Sequence, residues 1–196
     1  MTRRAATTTL VTGPVRSGKS RHAEHLVALH RDVLYVATGR RAGDDDSEWA
    51  ARVRAHQDRR PETWRTSETI ELDETLASAE GAVIIDCLGT WLTAQVDRVG
   101  WDDLDRARQH LRQCTTSLVE SLTRATHPVV VVTNEVGWSL VPLSASGRFF
   151  QDELGRLNAA VAQAAARVHL VVAGRVLDLS DAPTVPDSLP PRTLDA

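Results

Sequence analysis

Leu10-Val11-Thr12-Gly13-Pro14-Val15-Arg16-Ser17-Gly18-Lys19-Ser20 sets a short apolar run directly before the pattern Gly-x-x-x-x-Gly-Lys-Ser, with helix-forming sequence after it. That context, strand then loop then helix, is the one in which the pattern carries chemistry. The glycines let the backbone curl so that successive N–H groups point at phosphate oxygens, and the helix that follows adds its positive N-terminal end. Lys19 reaches the outer phosphates and the Ser20 hydroxyl ligates Mg²⁺. The stretch Gly13, Pro14, Val15, Arg16, Ser17, Gly18, Lys19, Ser20 is thus expected to hold the triphosphate of ATP or GTP. Of the 23 basic residues in the chain only this one is lysine.

Outward from the loop, short β-branched runs alternate with segments of helical period, the pattern of a parallel sheet with crossover helices. Strands are expected at Thr9 to Thr12, Val33 to Ala37, Ala82 to Asp86, Val129 to Thr133 and His169 to Ala173. Their continuous hydrophobicity implies burial on both faces. Leu104, Ala107, Leu111, Cys114, Leu118 and Leu122 mark one helix, and Phe150, Leu154, Leu157, Val161, Ala164 and Val168 another. With the phosphate loop, this predicts an α/β fold of the P-loop NTPase (RecA-like) kind, a mostly parallel sheet with helices on both faces.

At 196 residues one domain is expected. Its boundaries are set at 9–179, after a flexible arm over 1–8 and before a loose tail over 180–196, where four of the eight prolines fall. Gly39 to Asp46 is polar and rich in Gly and Asp, hence a loop. Asp46 or Ser47 caps a helix through about Asp58, and Pro61 closes that segment. No apolar run approaches the ~20 residues of a membrane span, and the start lacks a signal-like segment, so a cytoplasmic protein is expected. Cys87, read as lying inside a buried strand, and Cys114, on a helix, have no metal-site spacing and read as core residues. A net charge of -3 argues against general nucleic-acid binding.

Two further features bear on chemistry. Val83-Ile84-Ile85-Asp86 ends an apolar strand in a carboxylate, the position at which such a group meets Mg²⁺. In Arg52-Val53-Arg54-Ala55-His56-Gln57-Asp58-Arg59-Arg60, positions three or four apart gather an imidazole among guanidinium groups on one helix face. The residues alone leave two readings: a solvated basic face, or a triphosphate cradle in which His56, kept neutral by the neighbouring positive charge, is a nucleophile.

Taken in order, Leu10 to Glu24, Val33 to Thr38, Arg52 to Thr66, Asp86-Cys-Leu-Gly-Thr-Trp91, Val132-Thr-Asn-Glu-Val-Gly137, Val141 to Ser144 and Phe150 to Asn158 resemble the bifunctional adenosylcobinamide kinase/adenosylcobinamide-phosphate guanylyltransferase family of cobalamin biosynthesis. The resemblance spans about Leu10 to Ala173. It implies a two-step enzyme. A phosphoryl group of ATP or GTP would go to the aminopropanol hydroxyl of adenosylcobinamide. GMP from GTP would then pass through a histidine to adenosylcobinamide phosphate, giving adenosylcobinamide-GDP. The family's nucleophilic histidine falls on His56. Thr38, Gly39 and Arg40, then Gln57, Asp58, Arg59 and Arg60, match further nucleotide contacts, and Glu68 and Asp86 match acidic nucleotide-site positions. Asn134 and Glu135 follow the fourth strand with no role assigned. The resemblance also implies a homo-oligomer, a trimer. Pro14 and Val15 depart from the small residues usual in the family's loop but leave its glycines in place. Two rivals stay open: a single-step small-molecule kinase, and a nucleotide-dependent binding or assembly ATPase.

Overall fold

The computed structural model describes residues 8–39, 51, 54, 58 and 60–186. Arg40, His56, Gln57 and Arg59, most of the helix expected up to Asp58, residues 1–7 of the expected arm and 187–196 of the expected tail lie outside the described residues.

The chain runs β1 (Thr8–Thr12), α1 (Lys19–Val27), β2 (Val33–Ala37), β3 (Arg65–Glu68), α2 (Leu72–Ser78), β4 (Ala82–Asp86), α3 (Leu88–Val99), α4 (Leu104–Arg124), β5 (Val129–Val132), α5 (Ala145–Ala164), β6 (Arg167–Val172) and β7 (Arg175–Asp178). The strands form one seven-stranded sheet in the order β3-β2-β4-β5-β1-β6-β7. All neighbours are parallel except β6 and β7.

Because side chains alternate along a strand, the apolar runs feed two cores at once. Leu10, Val36, Val83, Ile85 and Val131 pack on one face against Leu72, Leu92, Leu118 and Leu154 from α2 to α5. Val11, Tyr35, Ile84, Val130 and Val132 face the other way and meet Ala23 and Val27 of α1. Two of the long helices start at side-chain caps. Asp103 accepts the Arg106 N–H and Ser144 accepts the Gly147 N–H, satisfying N–H groups that the first turn leaves without helical partners.

The five expected strands are present, two with the expected ends and three with ends shifted by one or two residues. Val168 is corrected from the end of a helix to the second residue of β6, because α5 stops at Ala164 and Ala165 is already extended. Cys87 is likewise corrected. β4 ends at Asp86, and Cys87 is the cap residue of α3, where its sulfur meets the Thr90 hydroxyl. β3 and β7 were not expected. Arg65-Thr-Ser-Glu carries no apolar residue, since it is an edge strand exposed along most of its length. β7 folds back through Ala173 and Gly174, whose φ values of 48° and 70° are the two positive angles a type I′ hairpin requires. Leu179 and Ser180 tie back to β6 through the Val168 carbonyl and N–H, and 181–186 hold no helix or strand.

Candidate active site

β1 is an inner strand of the sheet, and ligands of open parallel sheets bind beyond the carboxyl ends of their strands. The loop that leaves it is shaped by its glycines. A Cβ on Gly13 would lie 2.2 Å from the Val171 carbonyl oxygen, a backbone atom with no freedom to withdraw. Arg16 and Gly18 take positive φ values of 60° and 100°. The Ser17 N–H turns back to the Pro14 carbonyl at 3.2 Å, and such alternation of backbone hand makes concave nests of N–H groups. Val15 and Arg16 are exposed and Pro14 is half-buried. Lys19 opens α1, buried, with its ammonium folded across the loop onto the Pro14 carbonyl at 3.2 Å. Among the described residues the buried Ser17 hydroxyl has no hydrogen-bond partner, and it is a donor of the kind a phosphate oxygen satisfies.

The loop is braced from both sides. Glu135 donates its N–H to the Gly13 carbonyl at 3.1 Å and accepts the Thr12 hydroxyl at 2.6 Å. Behind it, buried Asn158 of α5 accepts the Thr133 hydroxyl at 2.6 Å and donates to the Asn134 carbonyl at 3.0 Å and to Glu135 at 3.4 Å. The Gly174 N–H of the β6–β7 turn holds the Ser17 carbonyl at 3.2 Å. Glu135, without a role in the sequence, is thus the seat of the loop, and Asn134 is tied to α5 beside it.

A second group of residues gathers at the ends of β2, β3 and β4. Ala37 is in register with Glu68 on one side and Asp86 on the other, so both carboxylates stand in one row of the sheet edge. Asp86 accepts the Tyr35 hydroxyl at 2.6 Å. Burial first, then the Asp86 charge and this hydrogen bond, pushes the Tyr35 phenol far above its ordinary range, so it stays a donor. Over the ring lies Arg60, its guanidinium carbon 3.3 Å from the centroid, with Nη1 donating to the Thr66 hydroxyl at 3.2 Å. Thr38 is buried, and its hydroxyl donates to the Cys87 carbonyl at 2.7 Å and meets Thr90 at 2.7 Å, locking the end of β2 onto α3. Burial first, then the Asp86 charge, pushes the Cys87 thiol up. Gly39 and Glu68 line a cleft of about 300 Å³ with Ala37, Thr69, Ile70, Glu71 and Arg98. Asp58 is exposed, its N–H on the Arg54 carbonyl at 2.8 Å.

The structure therefore brings the loop residues together with Glu135, and sets Asp86 and Arg60 on the hydroxyl and the ring face of one side chain, Tyr35. β4 stands one strand removed from β1, which sets Asp86 about 10 Å along the edge from the strand that feeds the loop, with β2 and β3 further out. Tyr35 and Asn158 went unread in the sequence. One sits in an apolar strand and the other in an amphipathic helix, where either type is ordinary. The Ser20 hydroxyl and the Asp86 carboxylate are hard oxygen donors. Among the described residues no cluster of three or more His, Cys, Asp or Glu could hold a metal. Both oxygens are of the donor type that Mg²⁺ takes, an ion that keeps several waters and completes its shell with phosphate oxygens.

A family model described as cobinamide kinase/cobinamide phosphate guanyltransferase matches residues 9–179. The chain is 41% identical over 175 residues to the bifunctional adenosylcobalamin biosynthesis protein CobU of Escherichia coli, covering 84% of this chain and 95% of that one. It is 40% identical over 178 residues to the protein of the same name from Salmonella typhimurium, again with 84% and 95% covered. Among solved structures, an ATPase of a bacterial type III secretion system is similar in fold, with TM-score 0.50 and 11% identity over 85% of this chain and 51% of that one. The architecture is that of the P-loop NTPases, and the chain belongs to the cobinamide kinase/cobinamide phosphate guanyltransferase family.

Proposed function

We propose that the chain is a bifunctional enzyme of cobalamin biosynthesis. In the first step the aminopropanol hydroxyl of adenosylcobinamide attacks the terminal phosphorus of ATP or GTP, its proton leaves, and the nucleoside diphosphate departs. In the second an imidazole nitrogen of His56 attacks the α-phosphorus of GTP. Pyrophosphate leaves, and a phosphate oxygen of adenosylcobinamide phosphate then displaces the histidine to give adenosylcobinamide-GDP. The observation that carries this reading is the curled loop with its one ammonium, Lys19, folded across it, in a chain of this family.

The residues divide the work. Backbone N–H groups of Gly13 to Ser20 and the Lys19 ammonium bind the outer phosphates and neutralise charge that develops on the transferred group. Ser20 and Asp86 would hold Mg²⁺, which when bound offsets further phosphate charge. Thr38, Gly39, Arg40, Gln57, Asp58, Arg59, Arg60 and Glu68 surround the remainder of the nucleotide in this reading. Thr38 can do so only through its backbone or by giving up a buried bond, since its hydroxyl is engaged with Cys87 and Thr90. Splitting guanylyl transfer into two displacements requires a covalent intermediate. GTP labelled at the α-phosphate, incubated with the protein and Mg²⁺, is expected to leave acid-labile label on the chain, and His56→Ala to abolish it. Unlabelled wild type, or full labelling of the variant, would reject the second step.

The same reading makes the protein a cytoplasmic homo-oligomer, a trimer, with its catalytic unit in 9–179. Sedimentation equilibrium giving a monomer would reject the trimer.

A further inference from the structure

Tyr35 lies in the middle of β2, 2% exposed, with its side chain on the α1 face of the sheet. Register explains what it touches. It pairs with Ile84 of β4, and Asp86 is two residues further along the same face, so the phenol reaches diagonally to the carboxylate at 2.6 Å. A buried tyrosine needs an acceptor for its O–H, and any carbonyl would satisfy that need. Here the acceptor is the carboxylate that ends β4 at the nucleotide edge. The ring face, moreover, is covered by a cation, Arg60 at 3.3 Å, in place of an apolar side chain. Arg60 follows His56 by four positions in the chain. One side chain therefore touches a group assigned to the metal and phosphates and a group from the segment that bears the histidine.

We propose that Tyr35 is a positioning residue for both steps: its hydroxyl fixes the orientation of the Asp86 carboxylate, and its ring seats the guanidinium of Arg60, read above as a nucleotide contact. The inference rests on the two-step reading above. The two contacts use different parts of the side chain, so they separate chemically. The O–H donates along the sheet edge at 2.6 Å, so the carboxylate meets a donor fixed by the strand register. The π face attracts the guanidinium whether or not the hydroxyl is present. Thr66 of β3 holds the same guanidinium from the side, so Arg60 is fixed in two directions.

The test compares Tyr35→Phe, Tyr35→Leu and Arg60→Leu with wild type. It measures kinase turnover on adenosylcobinamide, acid-labile label from α-labelled GTP, GTP binding by calorimetry across a Mg²⁺ series, and thermal melting. Tyr35→Phe should lower kcat of the kinase step about tenfold with little change in KM for the nucleotide, because misplaced but not missing groups slow the chemical step. It should also raise the Mg²⁺ needed for half-maximal GTP binding several-fold, and at saturating Mg²⁺ it should take up label at the wild-type rate. Tyr35→Leu should lose both the kinase rate and labelling. Arg60→Leu, at a half-buried position outside the core, should lose labelling and keep the Mg²⁺ dependence, which covers the case in which Tyr35→Leu does not fold. A folded Tyr35→Phe with unchanged kcat and Mg²⁺ dependence, or an Arg60→Leu that labels at the wild-type rate, would overturn the inference. Wild type that takes no label would overturn the two-step reading itself, and this inference with it.

Discussion

At Gly13 a methyl group would lie 2.2 Å from the Val171 carbonyl oxygen, whereas at Gly155, inside α5 and exposed, it would meet nothing within 4 Å. The same substitution should therefore act in opposite directions. Gly13→Ala forces the loop away from β6 and is expected to cost about 1–3 kcal/mol of stability and most of the affinity for GTP. Gly155→Ala relieves a helix-interior glycine and should add about 0.5–1 kcal/mol with binding unchanged. Urea melts and calorimetry on the two variants check both, and a Gly13→Ala that binds GTP normally would mean the loop tolerates displacement. Lys19, Gly13 and Gly18 were legible because a phosphate loop needs those residue types at those spacings. Tyr35 and Asn158 were not, because their meaning lies in partners, Asp86 and Glu135, that only the fold places beside them.

Among the elements, α1 shows how the phosphate loop is held to the far side of the sheet. One turn beyond Lys19, His22 hydrogen-bonds His169 of β6 at 2.9 Å, and His169 lies 3.8 Å from the Asp178 carboxylate of β7. A bond between two imidazoles needs at least one of them neutral. Burial first, then the charges of His169 and His25, lowers the pKa of His22; burial likewise lowers that of His127. The unfolded chain thus binds more protons than the folded one between the lowered values and the ordinary value near 6.5, so stability rises with pH there and falls as pH drops below about 6.5. Asp178 is held below its ordinary value by the Ser180 hydroxyl and N–H, and so remains ionised throughout that window. Melting temperatures at pH 7.5 and 5.5 should fall more steeply in wild type than in His22→Gln, and equal slopes would exclude His22 as the source. Elements with a strong period were readable, as in α4 and α5. β3 has no apolar residue, and β7 is four residues long behind an Ala-Gly turn in place of the usual Asn-Gly, so neither carried a signal.

Across the whole molecule the two faces of the sheet contribute differently to the site. α2 to α5 cover one face in a large apolar core, while α1 alone of the described helices covers the other. The large-core side nonetheless connects to the phosphate loop through Asn158. It joins α5 to Thr133, Asn134 and Glu135 at the end of β5, and Glu135 in turn holds Thr12 and Gly13. Stability and nucleotide affinity should therefore separate according to where the core is damaged. Leu118→Ala, fully buried in α4, removes packing and leaves a cavity, at an expected cost of about 2–5 kcal/mol. It touches no group of the loop, so GTP affinity in the folded protein should stay as in wild type. Asn158→Ala leaves the Thr133 hydroxyl and the Asn134 carbonyl without their partner, which should cost only about 1–3 kcal/mol. It also frees Glu135 to move, however, so the loss in GTP affinity should exceed that of Leu118→Ala although the loss in stability is smaller. Chemical denaturation paired with calorimetry at a temperature where both variants are folded decides the matter. If affinity simply tracked stability in the two variants, Asn158 would be a packing residue and the brace from α5 to the loop would have no bearing on binding.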